Sequence, residues 1–400
     1  MTPLVLRHFT ATSCIGRGLQ ATLESLHAQR SGLTACAFET ATLDTHIGEV
    51  PGVDEVQLPP ALRRFDCRNN RLAQLGLAQD GFLDAVAVCA DRWGRRRMGL
   101  FLGTSTSGML ETEIAYRRRD AATGALPADF DYAGSHNSYS LAAFVREIAG
   151  LDGPSAVVSS ACSSSAKVFG SARRMIAAGL IDAAVVGGVD SLCLTTLYGF
   201  HSLQLVSRNP CKPFDVARDG ISIGEAAAFA LIERAPESPD DGAILLLGVG
   251  ESSDAYHMSS PHPEGRGARA AMLQALGDAG LTAADINYIN LHGTGTPSND
   301  SAEGKAVASV FADRQRPVEA SSTKGATGHT LGAAGALEAV ICALSLRHGL
   351  LPGGANTLQV DASLEFEYLC ANRQRPIARV LSNSFGFGGS NCALVLGRPC

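Results

Sequence analysis

The amino-acid sequence predicts an α/β fold with helix-covered sheets, built from two similar halves. Short runs rich in β-branched residues alternate with alanine-rich amphipathic stretches, the pattern of strands and covering helices. A strand that ends in paired serines and leads into a small-residue helix occurs once in each half. With 400 residues, 46% of them hydrophobic and 18% charged, the chain can bury a large core.

Strand and helix signals follow one another along the chain. Strands are expected at the β-branched runs 155–160, 183–189, 244–249, 286–291 and 393–396. Helices are expected at the amphipathic runs 166–178, 269–279, 303–311 and 331–347. A Pro- and Asp-rich connection at 236–242 lies between an N-terminal half, 1–240, and a C-terminal half, 241–400.

A faint repeat places reactive residue types at matching positions in the two halves. The run 157–163 ends in Ser-Ser-Ala-Cys-Ser before one alanine-rich helix. The run 318–324 ends in Ser-Ser-Thr-Lys before His329 and a second such helix. We expect a duplicated α/β unit whose two helix N-termini meet in the middle; coincidence between two alanine-rich helices is the alternative.

Composition and charge exclude several classes of protein. A net charge of −6 has the wrong sign for a nucleic-acid binder, and the apolar fraction is too high for a disordered chain. No uninterrupted apolar run reaches the roughly 18 residues of a membrane span, and the run at 3–6 is too short for a signal peptide. Eleven scattered cysteines without a Cys-x-x-Cys pair indicate free thiols in a reducing cytoplasm.

Cys162 is the strongest candidate nucleophile. It lies in a Ser-Ser-Ala-Cys-Ser-Ser-Ser run between a predicted strand and a predicted helix. Unpaired amides and the positive end of the helix dipole lower the pKa of a thiol at such a place. The other cysteines are interpreted as buried structural residues.

Two loops carry candidate histidines. His292 opens a His-Gly-Thr-Gly-Thr-Pro segment, in which Thr294 and Thr296 supply hydroxyls and the glycines let a ligand approach the backbone. A lone histidine at a strand end is more often only a polar residue. His329 ends a Lys-Gly-Ala-Thr-Gly-His segment, and its neutral imidazole can donate to a carbonyl that is becoming an enolate.

Two further features surround these histidines. Lys324 opens the loop of His329, and Glu338, on an otherwise apolar helix, is its expected buried partner. Near the C-terminus, Phe387 lies between Gly386 and Gly388 in a segment that can expose backbone N–H groups for an oxyanion hole. This segment lacks the Lys-Ser/Thr ending of a P-loop and the glycine spacing of a dinucleotide-binding motif, so it does not predict nucleotide binding.

Together, these motifs resemble the elongating β-ketoacyl-acyl-carrier-protein synthases of the thiolase superfamily, from about residue 6 to residue 396. Further matching segments, in the family's order, are 209–215, 218–220, 224–225 and 252–258, with Asp300 and Glu303. The runs 7–11 and 226–228 depart from the family pattern. The serine-rich loop around Cys162 and the short segment 209–215 resemble the aryl polyene branch of the family.

The resemblance implies a thiolase-like fold, a five-layered αβαβα sandwich of two duplicated halves. It implies an acyltransferase that condenses malonyl-carrier, with loss of CO₂, with an acyl chain on Cys162 in fatty-acid or polyketide/aryl polyene biosynthesis. His292 and His329 would hydrogen-bond the malonyl thioester carbonyl, and Lys324 would support the charge arrangement. The amides of Cys162 and Phe387 would form the oxyanion hole beside the gating glycines, and the two loop threonines would contact pantetheine.

The resemblance also implies residues for the acyl chain and the carrier. The acyl pocket would run past Phe200 and Thr106, and Arg63 and Arg64 occupy the place of the family's basic docking pair. The stretch 103–108 is small and rich in hydroxyls, and burying an unpaired hydroxyl costs free energy. Such a wall would suit a conjugated chain better than a saturated one.

The implied partner is an acyl carrier protein, whose phosphopantetheine arm carries the substrates, in the cytoplasm and without a metal or redox cofactor. The dimer partner would be an identical chain or a chain-length-factor-like subunit. Three other functions remain open. A thiolase would need a second reactive cysteine in the glycine loop, where 387–390 has none. A chain-length-factor-like subunit would lack the nucleophile, and an initiating synthase would have Asn in place of His329.

Overall fold

The computed structural model describes residues 2–399; Met1 and Cys400 lie outside the described residues. The strands, in chain order, are β1 (Leu4–Ser13), β2 (Gly16–Arg17), β3 (Thr34–Ala35), β4 (His46–Gly48), β5 (Met98–Gly103), β6 (Ser155–Val158), β7 (Ala183–Asp190), β8 (Ile223–Gly224), β9 (Ala226–Arg234), β10 (Ile244–Ser253), β11 (Tyr288–Asn290), β12 (Glu319–Ser321), β13 (Leu350–Leu351), β14 (Glu367–Tyr368), β15 (Arg373–Gln374), β16 (Arg379–Gly386) and β17 (Ser390–Gly397). The helices are α1 (Gly18–His27), α2 (Arg68–Leu77), α3 (Phe82–Trp93), α4 (Met109–Arg117), α5 (Tyr139–Ala149), α6 (Ser164–Ala177), α7 (Leu194–Ser202), α8 (Arg266–Ala279), α9 (Pro297–Phe311), α10 (Lys324–Thr327) and α11 (Ala334–His348).

The two halves repeat one strand arrangement. In the N-terminal half the order is β6-β5-β7-β9-β1, with β5, β6 and β7 parallel and the last two strands antiparallel. In the C-terminal half the order is β12-β11-β16-β17-β10, again with three parallel strands followed by two antiparallel ones, and β14 adds a short parallel strand beside β12. A short antiparallel ladder between residues 4–6 and 244–246 joins the two arrangements. The topology therefore contains the duplication that the repeat predicts.

Helices α6 and α11 form the central layer, because each packs against strands of both halves. Helices α2, α3 and α5 cover the outer face of the N-terminal strands, and α8 and α9 cover that of the C-terminal strands. The result is the predicted five-layered αβαβα sandwich.

Small residues allow the two central helices to meet at their N-termini. A Cβ added at Gly335 would lie 2.6 Å from the backbone nitrogen of Ala166. The hydroxyl of Ser165 accepts a hydrogen bond from the N–H of Ala336 at 2.9 Å. The segment Leu331–His348 is long and apolar enough to cross a membrane, but 89% of it is buried inside the protein. It is the core helix of this sandwich, and a helix that is apolar all round belongs in such a core.

The predicted elements are present, but the ends of most helices and strands are shifted by a few residues, most strongly at the start of α9. Helix α9 begins earlier than expected, at Pro297, because Thr296 caps its first turn and proline fits there. Helix α11 begins later, at Ala334, after a 3₁₀ turn in which Leu331 has a left-handed backbone with φ +50°. The connection at 236–242 joins β9 to β10 and is mostly exposed.

Candidate active site

Cys162 lies on the short turn between β6 and α6. Ala161, directly before it, has a left-handed backbone with φ +52°, a conformation that is uncommon for a non-glycine residue and clusters at functional sites. The Ser164 hydroxyl fixes this turn: it donates to the carbonyl oxygen of Ala161 at 2.6 Å and accepts from the N–H of Ser160 at 2.9 Å.

Burial raises the pKa of the Cys162 thiol to about 12, although Lys324 and the N–H of Phe387 lower it. The expected lowering of this thiol pKa is wrong, because the loss of solvation outweighs the cation and the backbone amide. The thiol carries its proton at rest, so attack on a substrate needs a base.

His329 is placed to be that base. Its Nε2 lies 3.1 Å from the sulfur of Cys162. Burial, followed by the charge of Lys324, lowers the pKa of His329 well below its usual range, so the imidazole is neutral. The backbone of His329 is held by a hydrogen bond to Ser222 and one from Gly224. Its Nδ1 is buried without a hydrogen-bond partner.

His292 lies directly beyond β11, and its ring centroid is 5.3 Å from that of His329. Burial lowers the pKa of His292 well below its usual range, with Lys324 and His329 adding to the effect, so this imidazole is also neutral. The carboxylate of Glu303 accepts from the backbone N–H groups of His292, at 2.8 Å, and Gly293, at 2.7 Å. Both neutral imidazoles therefore lie in the same buried site. Each ring has one nitrogen that carries a proton and one that carries a lone pair.

Lys324 connects the two histidine loops. Its Nζ donates to the carbonyl oxygen of His292 at 2.6 Å, lies 3.4 Å from Nδ1 of the same ring, and forms an ion pair with Glu338. Burial raises the pKa of Glu338 to about 7, against the opposing charge of Lys324. An ammonium has three N–H donors and no acceptor. Nδ1 of His292 is therefore an acceptor, and the proton of this neutral ring is on Nε2.

The glycine-rich segment closes the site next to Cys162. The N–H of Phe387 donates to the sulfur of Cys162. A Cβ at Gly386 would lie 2.8 Å from the carbonyl oxygen of Ser160, so this position needs glycine. Gly388 has φ +77°, a backbone that glycine adopts without strain.

These residues line one common cavity. Its walls include most of the predicted site residues, namely Cys162, Phe200, His292, Thr294, Thr296, His329, Gly386 and Phe387. Lys324 and Glu338 are not among its walls; Lys324 contacts His292, and Glu338 contacts Lys324.

The sequence matches two family profiles. Beta-ketoacyl synthase, N-terminal domain, matches residues 74–238, and Beta-ketoacyl synthase, C-terminal domain, matches residues 244–357. The chain belongs to the β-ketoacyl synthase family. The resemblance found in the sequence is confirmed.

Relatives and solved structures agree with this assignment. The chain is 41% identical over 260 residues to 3-oxoacyl-[acyl-carrier-protein] synthase 2 of Rhizobium meliloti strain 1021, an alignment that spans 62% of each protein and so less than two thirds of the relative. It is 32% identical to 3-oxoacyl-[acyl-carrier-protein] synthase 2 of Staphylococcus aureus strain COL, over 98% of this chain and 97% of that one. The ketosynthase ApeO of Xenorhabdus doucetiae, solved in complex with its chain length factor ApeC, superposes with a TM-score of 0.88 at 36% identity, covering 100% of this chain and 98% of that chain. The thiolase-like fold is confirmed.

Two predicted features lie outside the cavity at Cys162. Arg63 and Arg64 line a separate surface cavity that shares no wall residue with the cavity at Cys162. Thr106 is 2% exposed, and its hydroxyl donates to Asp190 at 2.8 Å. Thr106 does not line the cavity at Cys162. The expectation of a wall with unpaired hydroxyls is therefore wrong.

Three buried acids support the site, although the sequence motifs do not indicate a role for them. Glu303 holds the backbone of the His292 loop, and Asp300 accepts from the N–H of Thr294 at 3.0 Å. Asp190 contacts the loop of Thr106. A signal was available for the first two, because acidic residues at the start of a helix that follows a glycine-rich loop are well placed to bind that loop's amides.

The reactive groups are also metal-ligand types. The donor atoms of Cys162, His292 and His329 all lie within 4.8 Å of one another, the one such group of His, Cys, Asp or Glu side chains in residues 2–399. Thiolate and imidazole are the ligands that Zn²⁺ prefers.

Proposed function

We propose that this chain is a β-ketoacyl-acyl-carrier-protein synthase, which condenses malonyl-carrier, with loss of CO₂, with an acyl chain held on Cys162. The observation that carries the proposal is the 3.1 Å contact between the sulfur of Cys162 and Nε2 of a neutral His329, with a second neutral imidazole, His292, in the same cavity. One thiol and two neutral histidines fit a reaction that needs a nucleophile and two hydrogen-bond donors.

The acyl group is transferred first. Nε2 of His329 takes the thiol proton while the sulfur of Cys162 attacks the thioester carbonyl of the acyl-carrier. The amides of Cys162 and Phe387 stabilise the oxyanion. The bond from carbon to the pantetheine sulfur then breaks, and the leaving thiolate takes the proton from His329.

Decarboxylation follows in the same cavity. Once Cys162 is acylated, it offers no proton to His329, and an Nδ1–H would be a buried donor without a partner. The Nε2–H form of His329 is therefore favoured, and Lys324 favours the Nε2–H form of His292. Both rings donate to the malonyl thioester oxygen as the bond to the carboxylate breaks, CO₂ leaves and the enolate forms.

Bond formation completes the cycle. The enolate carbon attacks the thioester carbonyl on Cys162, and the carbon–sulfur bond to the protein breaks. One proton from water restores the thiol. The product is a carrier-bound β-ketoacyl chain two carbons longer.

The carrier and its arm are the proposed partners. The phosphopantetheine arm enters the cavity along Thr294 and Thr296, whose hydroxyls lie 2.9 Å apart. Arg63 and Arg64 are the proposed contact for an acidic carrier protein; the Arg64 side chain is 62% exposed. The proposed reaction uses no cofactor other than the phosphopantetheine arm, which arrives with the carrier-bound substrates. The proposed location is the cytoplasm.

We also propose a heterodimer with a chain-length-factor-like subunit. The strand β6 has β5 on one side and ends the sheet path of the described chain, so a second chain can cover this edge. The Xenorhabdus doucetiae ketosynthase, similar over the whole chain, was solved in complex with its chain length factor. The preference for a conjugated, aryl-polyene-like acyl chain now rests on the sequence resemblance alone.

The alternatives are less well supported. A thiolase would need a second cysteine beside Cys162, whereas Cys392 is fully buried in β17 and does not line the cavity. A chain-length-factor-like subunit would lack the nucleophile that Cys162 supplies.

Intact-mass analysis after incubation with a panel of acyl-carriers tests the proposal and names the preferred chain. We expect one acyl adduct in the wild type and in Cys392→Ala, and none in Cys162→Ala. Addition of malonyl-carrier should then release CO₂ and the elongated product. Condensation without CO₂ release, or an adduct on Cys392, would overturn the proposal.

A further inference from the structure

Asp190 is a fully buried carboxylate at the end of β7, next to the central layer of α6 and α11. The parallel strand β5 ends beside it, with Gly103 opposite Gly188. The chain that leaves β5 must therefore pass over the carboxylate. The turn that follows His329 approaches the same group from the central layer.

The loop after β5 supplies most of the hydrogen bonds to this carboxylate. One oxygen accepts from the hydroxyl of Thr104 at 2.7 Å, the N–H of Ser105 at 2.8 Å, and the N–H and hydroxyl of Thr106 at 2.9 and 2.8 Å. The other oxygen accepts from the hydroxyl of Ser105 at 2.5 Å.

The remaining bond reaches the histidine segment. The N–H of Gly332, three residues beyond His329, donates to the second oxygen at 2.5 Å. A Cβ at Gly332 would lie 2.8 Å from that oxygen, so the fit leaves no room for a side chain. All six partners are donors, and only an ionised carboxylate accepts from all of them.

We propose that Asp190 is a positioning residue for the condensation: it locks the loop 104–106 to the turn after His329 and thereby sets His329 against Cys162. This inference rests on the proposed function, because Asp190 acts through His329. The buried network is fully satisfied only when the acid is charged, and partly satisfied networks lose their fixed geometry. A displacement of about 1 Å in an active site can cost on the order of 10²-fold in rate.

The negative charge of Asp190 also affects the ionisation of the Cys162 thiol, which can be measured separately from turnover. The charges that act on the Cys162 thiol include Lys324, which favours its ionisation, and Asp190 and Glu338, which oppose it; the two imidazoles are neutral. Removal of the Asp190 charge should therefore make the thiol more acidic. Loosening that admits water to the thiol would also lower its pKa, so Gly332→Ala, which leaves the Asp190 charge in place, separates the two causes.

The principal experiment compares the wild type with Asp190→Asn. We expect condensation and malonyl decarboxylation to fall by roughly 10- to 100-fold, with the KM for malonyl-carrier nearly unchanged. The pH profile of Cys162 alkylation by iodoacetamide should shift to lower pH. The control is Asp215→Asn, because Asp215 is another buried aspartate that accepts from backbone N–H groups, at 2.8 to 3.0 Å, away from the cavity.

Two further variants separate position from charge. Gly332→Ala should lower turnover without shifting the alkylation profile downward, because Asp190 keeps its charge. Thr106→Val removes one bond to Asp190, together with the bond that the hydroxyl accepts from the N–H of Ser191, and should lower turnover severalfold. If Asp190→Asn does not fold, this variant decides, and full turnover overturns the inference.

The outcomes also distinguish this inference from the proposed function. The inference is overturned if Asp190→Asn has the turnover of the wild type. It is also overturned if the pH profile of Cys162 alkylation in this variant is identical to that of the wild type. A wild-type protein that is alkylated at Cys162 but does not condense malonyl-carrier contradicts the proposed function instead.

Discussion

The two halves share one strand arrangement but deliver their reactive groups differently. In the N-terminal half, α6 begins almost directly after β6, and a left-handed residue at Ala161 turns Cys162 into the cavity. In the C-terminal half, α10 and a 3₁₀ turn are inserted between β12 and α11, and this longer connection carries Lys324 and His329. Backbone geometry places the nucleophile, whereas a buried ion pair helps to place the histidines.

The largest expected effect tests the N-terminal half. Cys162→Ala should abolish the acyl adduct and lower condensation by about 10³-fold or more, because the nucleophile is lost. Some CO₂ release from malonyl-carrier should survive, because both histidines remain. Mass spectrometry and CO₂ release measure the two steps separately. An unchanged thioester adduct in this variant would place the nucleophile elsewhere.

The next effect separates the two histidines of the C-terminal half. His329→Ala should slow both acylation and decarboxylation, by about 10²- to 10⁴-fold, because His329 is both base and donor. His292→Ala should slow decarboxylation while acylation stays close to that of the wild type, since no bond joins this ring to the sulfur. Equal loss of acylation in both variants would contradict this division.

Breaking the ion pair tests whether it stabilises the C-terminal site. Glu338→Gln leaves the Lys324 ammonium uncompensated and should lower the free energy of unfolding by about 3–5 kcal/mol. The double variant Lys324→Met/Glu338→Leu should recover much of that loss, because it removes both charges together. Chemical denaturation of the three proteins measures both effects. If Glu338→Gln is as stable as the wild type, the pair has no structural role.

A smaller effect belongs to the surface of the N-terminal half. Reversing the charges of Arg63 and Arg64 to Glu should raise the KM for carrier-bound substrate by roughly three- to tenfold, because docking is electrostatic. Turnover of a small pantetheine thioester should not change. Reversal at the exposed pair Arg95 and Arg96 is the control. If reversal at either pair raises the KM for carrier-bound substrate equally, the carrier has no specific docking site at Arg63 and Arg64.

The last prediction is the absence of an effect. The pKa values of His292 and His329 lie well below 6.5, so both rings stay neutral as the pH falls from about 8 to 6. The ring ¹⁵N signals of both histidines should therefore stay at the values of neutral imidazole over this range, measured by NMR. The rate of decarboxylation is not the readout, because burial raises the pKa of Glu303 and of Glu338 to about 7, and these acids contact the His292 loop and Lys324. A ring signal that titrates with a midpoint near pH 6.5 would contradict the prediction.

Much of this site could be predicted from the sequence, because its reactive residues lie in local motifs. The glycine loops mark where a ligand approaches, and the repeat predicts that the two central helices meet. The pKa of Cys162 could not be predicted, because both halves contribute to its burial. The partner of Thr106 could not be predicted either, because Asp190 lies 84 residues away and only the sheet brings the two together.

The short ladder between residues 4–6 and 244–246 has a further consequence for how the protein could be divided. The halves are joined covalently by an exposed connection at 236–242, and none of its residues lines the cavity at Cys162. Proteolytic nicking there should yield two fragments that stay associated through the interlocked central helices. Neither fragment has a complete catalytic set, so separately expressed halves should be inert alone and regain turnover on mixing.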